Sequence, residues 1–283
     1  MDDQNKTEGS TSPRAVRGDG QSLDPRDGVI PVIKELEPGI LQIVGTACWI
    51  TRYGLFLTAQ HVLATLVDEE GAGLEVGFVA QLAPEGKIYL RRILRATLLR
   101  SADLAVGQAD NYLATVPDDP LSNMRAKLTT TIPPTQSDLT TYAYPENTEL
   151  DFRDKDTMPI VVSDYSAGLL LRHVTKSENP WIPYPHFETS IEVKSGASGG
   201  PVFDHRGRVI GVNCRGWDFR GAEHEGNHLS SIVPIEHLWS LEVPLLQLPP
   251  QSWEHDQIPQ ARRGAALSMR ELADYGHLLV DQS

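Results

Sequence analysis

Short apolar segments alternate with turn-forming residues from Val29 onward. Their length and their content of β-branched residues are typical of strands rather than helices. The first group consists of IPVIKEL, ILQIVGTACWI, GLFLTAQHVLATL, LEVGFVAQL, KIYLRRILRATLL and DLAVGQA. This pattern predicts an all-β unit over approximately residues 29–128.

A second group of strand-like segments follows LTTTIPPTQSD, a Pro- and Thr-rich stretch that we interpret as a linker. It consists of LTTYAYP, MPIVVSDY, AGLLLRHV, HFETSIEV, GGPVFD, GRVIGVNC and LSSIVPI. These segments predict a second all-β unit over approximately residues 139–235. Beyond it, ARRGAALSMRELADYGHLLV has apolar residues at three-to-four spacing, so residues 247–283 are expected to form a partly helical extension. Residues 1–28 are polar and aperiodic, and we expect a disordered tail.

Composition narrows the class of protein. The 283 residues are 40% hydrophobic and 22% charged, with 23 Gly and 20 Pro, which indicates a globular protein rich in turns. The 38 acidic and 25 basic residues give a formal net charge of −13, which would repel nucleic acid and anionic membranes. Neither a secretory signal core nor an apolar stretch of spanning length is evident. The sequence therefore predicts a soluble protein with no nucleic-acid or membrane partner.

The cysteine content bears on the compartment. Cys48 and Cys214 are too few for the disulfide framework of a bridge-dependent secreted domain. A reducing cytosol is the simpler setting, so the expected localisation is cytoplasmic. Both cysteines are interpreted as small buried residues on strands.

Three segments carry candidate chemistry. Glycines flank Ser198 in GASGGPV, where they permit a backbone that exposes the hydroxyl and turns the N–H groups of Gly196 and Ser198 toward one point. These N–H groups are the expected oxyanion hole. A glycine-rich loop alone is as readily a tight turn, but His61 in FLTAQHV and Asp103 in SADLAV precede it. Together they supply the nucleophile, base and orienting carboxylate of a hydrolase.

These segments resemble three signatures of trypsin-like serine proteases. LTAQH is similar to LTAAH, DLAV to D-[IL]-A-[LV], and SGASGGPVFD to GxSGGP, with His61, Asp103 and Ser198 in the family order and 42 and 95 positions apart. The stretch from His186 to Val212 is similar to that of HtrA-type and other short bacterial trypsin-like peptidases. The resemblance covers Val29 to Leu246 and implies two six-stranded antiparallel β-barrels, the chymotrypsin-like double barrel, with short C-terminal helices.

The resemblance also implies roles for individual residues. His61 would act as general base and then acid, Asp103 would orient its imidazole, and Ser198 would form the acyl-enzyme of a serine endopeptidase acting on polypeptides. No cofactor and no metal is implied. The substrate backbone would pair with the segment Asn213, Cys214, Arg215 and Gly216.

The sequence allows two interpretations of the pocket for the residue before the cleaved bond. Glu192 lies six positions before Ser198, where trypsins keep an acidic pocket floor, and this would favour Lys or Arg. The alternative is an outward-facing residue on a strand that leads into the loop.

Departures from the family pattern concern regulation. Ala197 replaces the aspartate that pairs with a new N-terminus in digestive trypsins, so activation by that salt bridge is not expected. The 37 residues after Leu246 are too few for the PDZ domain of HtrA proteins. Restraint of such a protease would come from narrow specificity, from a regulatory protein partner that orders the loops, or from the C-terminal helix. The sequence indicates no particular oligomeric state.

Three other interpretations were weighed. HEGNH at positions 224–228 matches the HExxH zinc pattern, but that mechanism needs a helix and glycine and asparagine lie inside the motif. GASGG also matches the G-x-S-x-G elbow of α/β-hydrolases, whose histidine follows the serine instead of preceding it. The third is a catalytically silent or latent trypsin-like domain that binds peptides or partners.

Overall fold

The computed structural model describes most of the chain from Gly28 onward. The described residues are 15–16, 22–23, 28–82, 88–110, 125–145, 149–153, 161–177, 179–218, 228–243, 257–262 and 265–281. Within the segment expected to be disordered, β1 (Ala15–Val16) and β2 (Ser22–Leu23) pair as a short antiparallel ribbon. The HEGNH motif lies outside the described residues except for its last position.

Six antiparallel strands close the first barrel. They are β3 (Val29–Glu37), β4 (Ile40–Trp49), β5 (Leu55–Ala59), β6 (Gly77–Leu82), β7 (Ile88–Leu99) and β8 (Leu104–Ala109). Their order is β4-β3-β6-β7-β8-β5, and pairing of β4 with β5 closes the ring. The short helix α1 (Gln60–Leu63) follows β5 directly.

Six further antiparallel strands close the second barrel. They are β10 (Asp138–Ala143), β12 (Asp164–Val174), β13 (His186–Thr189), β14 (Pro201–Asp204), β15 (Val209–Asp218) and β16 (His228–Pro234). Their order is β14-β10-β12-β13-β16-β15, closed by pairing of β14 with β15. The prediction of a chymotrypsin-like double barrel of two six-stranded units is confirmed.

Short strands extend both barrels. β9 (Lys127–Thr129) lies between the two barrels in sequence and pairs in parallel with β15. β11 (Glu149–Asp151) lies between β10 and β12 in sequence and pairs with β4 of the first barrel. The last strand, β19 (Leu279–Asp281), pairs in parallel with β9. Two-residue strands β17 (Glu242–Val243) and β18 (Leu267–Ser268) pair with each other.

In the ranges that the structure describes, helical structure is limited to short pieces. A 3₁₀ helix spans Ile235–Ser240 and another spans Gln260–Arg262, while α2 covers Met269–Asp274. A capping box between Ser268 and Glu271 begins α2. In the described part of the segment after residue 247, α2 is followed by β19, a strand of the second sheet. A membrane-crossing helix, which needs a long apolar run, is not found among the described residues.

Three apolar clusters hold the structure together. One fills the first barrel, with Trp49 and Phe56 in edge-to-face contact at 5.8 Å between ring centroids, and one fills the second around Leu170 and Ile232. The third takes residues from both barrels and from the C-terminal segment, so it forms the interface between them. Strands β5 and β8 are buried at every position, because one face lines the barrel and the other faces this interface. They form a rigid base for the residues at their ends.

Candidate active site

Strand pairing in the first barrel brings His61 and Asp103 together. Ala59, the last residue of β5, is paired with Leu104, the first residue of β8. His61 follows β5 on α1 and Asp103 precedes β8, so both lie at the same end of this strand pair. His61 Nδ1 lies 2.9 Å from Asp103 Oδ2 and 3.1 Å from Oδ1, and the main-chain N–H of His61 donates to Oδ1 at 3.0 Å. The carboxylate therefore fixes both the backbone and the ring of the histidine.

Asp103 is held in an unusual backbone conformation with four donors around its carboxylate. Its φ is 49°, in the left-handed region that residues other than glycine seldom adopt. Besides His61, Cys214 Sγ donates to Oδ2 at 2.6 Å and the Tyr184 hydroxyl donates to Oδ2 at 3.4 Å. Burial opposes the charge, but hydrogen bonds and the charge of His61, together with Cys214, hold the pKa of Asp103 below its usual value. Asp103 is therefore ionised at neutral pH.

Cys214 and Tyr184 form a neutral pair behind the carboxylate. The Tyr184 hydroxyl lies 2.8 Å from Cys214 Sγ. Burial, and then the neighbouring charge of Asp103, raise the pKa of the Cys214 thiol, and burial raises the pKa of Tyr184 as well. Both groups remain protonated at neutral pH and act as donors to Asp103. Cys214 was predicted as a small buried residue on a strand and as a substrate-binding residue, but not as a donor to Asp103. No sequence motif indicates the contact of Tyr184, which lies 81 positions from Asp103.

Contacts with the first barrel fix the loop that carries Ser198. The N–H of Thr46 donates to the carbonyl of Ser198 at 2.9 Å, and Thr46 Oγ1 donates to the carbonyl of Gly196 at 3.0 Å. Gly199 has a φ of 81°, and a Cβ there would lie 2.0 Å from Thr58 Oγ1. Only glycine allows the loop to approach the first barrel this closely.

Two N–H groups of this loop have no acceptor among the described residues. The N–H of Ala197 donates to the carbonyl of Lys194 at 3.0 Å, and that of Gly199 donates to Asn213 at 2.7 Å. In the described part of the chain, the N–H groups of Gly196 and Ser198 make no such bond, and Gly196 has a φ of 89°. These are the donors that the sequence predicts for an oxyanion hole.

Ser198 and His61 line the same cavity, whose volume is about 660 Å³. The Ser198 hydroxyl lies 3.4 Å from the carbonyl oxygen of Cys214 and, within the described structure, makes no hydrogen bond to His61. Hydrogen bonds between catalytic groups are commonly longer or absent without substrate and shorten in the complex. Half of the His61 side chain is exposed, so its ring is accessible from the cavity.

The predicted peptide-binding segment divides into buried and accessible residues. Cys214, Arg215 and Gly216 line the cavity. Asn213 is fully buried, and its side chain donates to Thr141 Oγ1 at 2.7 Å, so it packs within the barrel. The main chain of Asn213 still bonds to Gly199 and Gly200. Beyond Asn213, β15 pairs with β16 on one side, whereas its other edge has no partner strand in the described part of the chain. This free edge can accept an extended peptide.

Glu192 is not brought to the site by the structure. Its side chain is exposed and is not among the residues that line the cavity. The wall next to the nucleophile is formed instead by Val193, Lys194 and Ser195.

His61, Asp103 and Cys214 are also the group in the described structure that most nearly resembles a metal site. Their ligand atoms lie within 4.8 Å of one another. The His61–Asp103 and Cys214–Asp103 hydrogen bonds account for this proximity, and the raised pKa of the thiol disfavours the thiolate that a metal would need. The arrangement is that of a hydrogen-bonded His61–Asp103 pair with a supporting thiol.

Comparison with known proteins agrees with this geometry. A family model described as a trypsin-like peptidase domain matches residues 45–212, more than half of the chain, and the match includes His61, Asp103 and Ser198. No curated protein is similar enough in sequence to count as a relative.

Among solved structures, "Crystal structure of Deg5" is 17% identical with a TM-score of 0.51, covering 75% of this chain and 85% of that one. "HtrA-type protease AlgWS227A with tripeptide" is 16% identical with a TM-score of 0.51, covering 80% of this chain and 67% of that one. These likenesses support the double-barrel fold, and the chain belongs to the trypsin-like peptidase family.

Proposed function

We propose that the chain is a serine endopeptidase that hydrolyses peptide bonds through an acyl-enzyme at Ser198. The observation that carries the proposal is the convergence of an accessible His61, oriented by the buried Asp103, with Ser198 in one cavity. The nucleophile comes from the second barrel and the base from the first. Contacts of Thr46 and Gly199 hold the loop that carries Ser198 against the first barrel.

The chemistry follows from these positions. His61 Nε2 accepts the proton of the Ser198 hydroxyl as Oγ attacks the substrate carbonyl, and the N–H groups of Gly196 and Ser198 bind the oxyanion. Asp103 keeps the proton of the histidine on Nδ1 and stabilises the imidazolium. His61 then protonates the leaving amine, and a water molecule hydrolyses the acyl-enzyme by the same proton transfers in reverse order. No cofactor is required.

A fluorophosphonate probe tests the proposal directly. The activated serine is expected to attack the phosphorus and displace fluoride, giving a covalent adduct that intact-protein mass spectrometry detects. The wild-type chain should label and Ser198→Ala should not. Ser101→Ala, which removes an exposed serine hydroxyl outside the cavity, is a matched control that should label like the wild type. Labelling that survives in Ser198→Ala would refute the assignment of the nucleophile.

One observation favours a second candidate, a latent domain that binds peptides without cleaving them. The Ser198 hydroxyl is directed to the carbonyl of Cys214 rather than to His61. A chain held in this arrangement would keep the peptide-binding edge but would lack an activated nucleophile. Absence of labelling in the wild type, with peptide binding retained, would favour this function over the endopeptidase.

The pocket beside Ser198 leads to a prediction about the residue before the cleaved bond. A Cβ added at Gly216 would lie 2.4 Å from the carbonyl oxygen of Val193 and 3.2 Å from its Cβ, so the two walls are nearly in contact. Because a larger side chain would have to separate these walls, we expect peptides with Ala at this position to be cleaved about 10-fold or more faster than those with Phe, Lys or Arg. Values of kcat/KM for a matched peptide series measure this preference.

The same series tests the sequence-based prediction for Glu192. If its carboxylate formed the pocket floor, cleavage would occur after Lys or Arg and would be lost in Glu192→Gln. The exposed position of Glu192 leads us to expect no change in the preference on this substitution. Selective loss of cleavage after basic residues in Glu192→Gln would contradict the small-pocket prediction.

A further inference from the structure

Cations border the cavity that contains the triad, although the chain as a whole is acidic. The formal net charge is −13, yet Arg100, Lys194 and Arg215 line this cavity. The carboxylate among the lining residues, Asp103, is buried and hydrogen-bonded to His61. A peptide that enters the cavity therefore meets three cationic side chains, although the net charge of the chain is negative.

Two of these cations have no internal counter-charge in the described structure. Lys194 forms an ion pair with Asp164 at 2.8 Å. Arg100 and Arg215 are both exposed, and neither lies within ion-pair distance of a described carboxylate. A guanidinium group offers a planar set of donors that fits a carboxylate, so these two side chains can bind an acidic group of a ligand.

Arg215 is partly preorganised for such a contact. Its guanidinium carbon lies 5.3 Å from the ring centroid of Trp181, within the range of a cation–π interaction. The Trp181 side chain is 72% exposed and also lines the cavity. A large aromatic residue left this open at a binding cleft is typical of an anchor for a partner. Its contact with Arg215 reduces the rotamer freedom that the arginine would lose on binding.

The location of the arginines on the fold matches the path of a bound peptide. Arg215 lies on the segment of β15 whose outer edge is unpaired, and a peptide strand added there would run past it. Arg100 directly follows β7 and precedes Asp103 by three positions, so it borders the cavity from the first barrel. The two arginines thus border the same cavity, one from each barrel.

We infer that this site selects acidic peptide segments, with Asp or Glu side chains of the bound strand contacting Arg215 and Arg100. Cleavage of such segments rests on the proposed endopeptidase function, whereas their binding does not. The arginines supply a local attraction for acidic segments next to the triad, despite the negative net charge of the chain.

Binding to the Ser198→Ala chain tests this inference without requiring turnover. The probes are two fluorescein-labelled alanine peptides that differ only in carrying glutamates or glutamines at alternate positions, and fluorescence anisotropy gives the Kd of each. We expect the glutamate peptide to bind about 10-fold more tightly at low salt. The difference should shrink at high ionic strength, because salt screens exposed charges.

Arginine variants made in the same background identify the groups responsible. Arg215→Gln and Arg100→Gln should each reduce the preference for glutamate, and the double variant should abolish it. Arg52→Gln is the matched control, because Arg52 is exposed in the turn before β5, at the opposite end of that strand from His61. It should leave the preference unchanged.

The outcomes separate this inference from the proposed function. Equal affinity for the two peptides, no measurable binding of either, or an unchanged preference in the double variant would overturn the inference. A chain that labels with fluorophosphonate but shows no preference would lose only the inference. A chain that prefers glutamate but does not label would keep it as a property of a peptide-binding domain.

Discussion

Replacing Asp103 by asparagine is expected to lower kcat/KM for peptide hydrolysis by about 10⁴-fold. The reason lies in how the donors divide between the two carboxylate oxygens. Oδ1 accepts the main-chain N–H of His61 at 3.0 Å, while Oδ2 faces Nδ1 of His61 at 2.9 Å and Cys214 Sγ at 2.6 Å. An asparagine that keeps its oxygen toward the main-chain N–H must place its NH₂ group against these two donors.

That NH₂ group would favour the inactive tautomer of His61. With a donor opposite Nδ1, His61 is most stable with its proton on Nε2, the atom that must accept the proton of Ser198. The base is then blocked although the ring stays in place. The thiol of Cys214 and the hydroxyl of Tyr184 also lose an acceptor for their protons.

The measurement is steady-state kinetics on a peptide that the wild type cleaves, with circular dichroism to show that the fold is retained. Asp274→Asn is a suitable control, because this aspartate is exposed at the end of α2. It should retain wild-type kcat/KM. A loss of less than 10-fold in Asp103→Asn would show that this carboxylate does not determine the tautomer of His61.

The sequence predicted the parts of the site that short segments determine. The apolar run LFLTA is a strand that ends just before His61, and Asp103 directly precedes the next strand of the pair. The glycines around Ser198 adopt positive φ as their conformational freedom suggests. In each case a few neighbouring residues specify the local backbone, and the order of the motifs specifies how the two barrels combine.

Features that depend on distant residues were not predictable in this way. Tyr184 reaches Asp103 across 81 positions, and its loop has no periodicity or motif that indicates a polar contact. The cation–π contact between Trp181 and Arg215 likewise joins two segments that only the fold brings together. For Glu192, counting residues back from the serine could not tell where its side chain points, because the residue follows the end of β13 in a segment without regular secondary structure.

The contacts of the C-terminal segment also depend on distant residues, and local sequence does not predict them. Helix-forming residues at helical spacing predicted a partly helical extension, and α2 does form over Met269–Asp274. Local periodicity does not reveal that β19 joins the second sheet in parallel, or that Asp281 contacts Arg208 at 3.1 Å and Lys127 at 3.1 Å. These contacts attach the segment to the second sheet.

Replacing Leu272 by alanine is therefore expected to lower the free energy of unfolding by about 2–5 kcal/mol, even though the residue lies far along the chain from the triad motifs. Leu272 is fully buried on α2, together with Met269, in the cluster that joins the two barrels. Its truncation leaves a cavity at the interface that aligns His61 with Ser198. Because total stability of a domain is about 5–15 kcal/mol, this is a large fraction of it.

Urea unfolding followed by tryptophan fluorescence measures the change, and Arg270→Ala provides the matched control. Arg270 is exposed on the same helix, and alanine is an equally good helix former, so its free energy of unfolding should change by less than about 0.5 kcal/mol. If Leu272→Ala were as stable as Arg270→Ala, the C-terminal segment would be an appendage instead of part of the core. If it is destabilised as expected, the interface between the barrels depends on a segment that follows His61, Asp103 and Ser198 in the chain. Complete assembly of the active site would then require the C-terminal segment to dock.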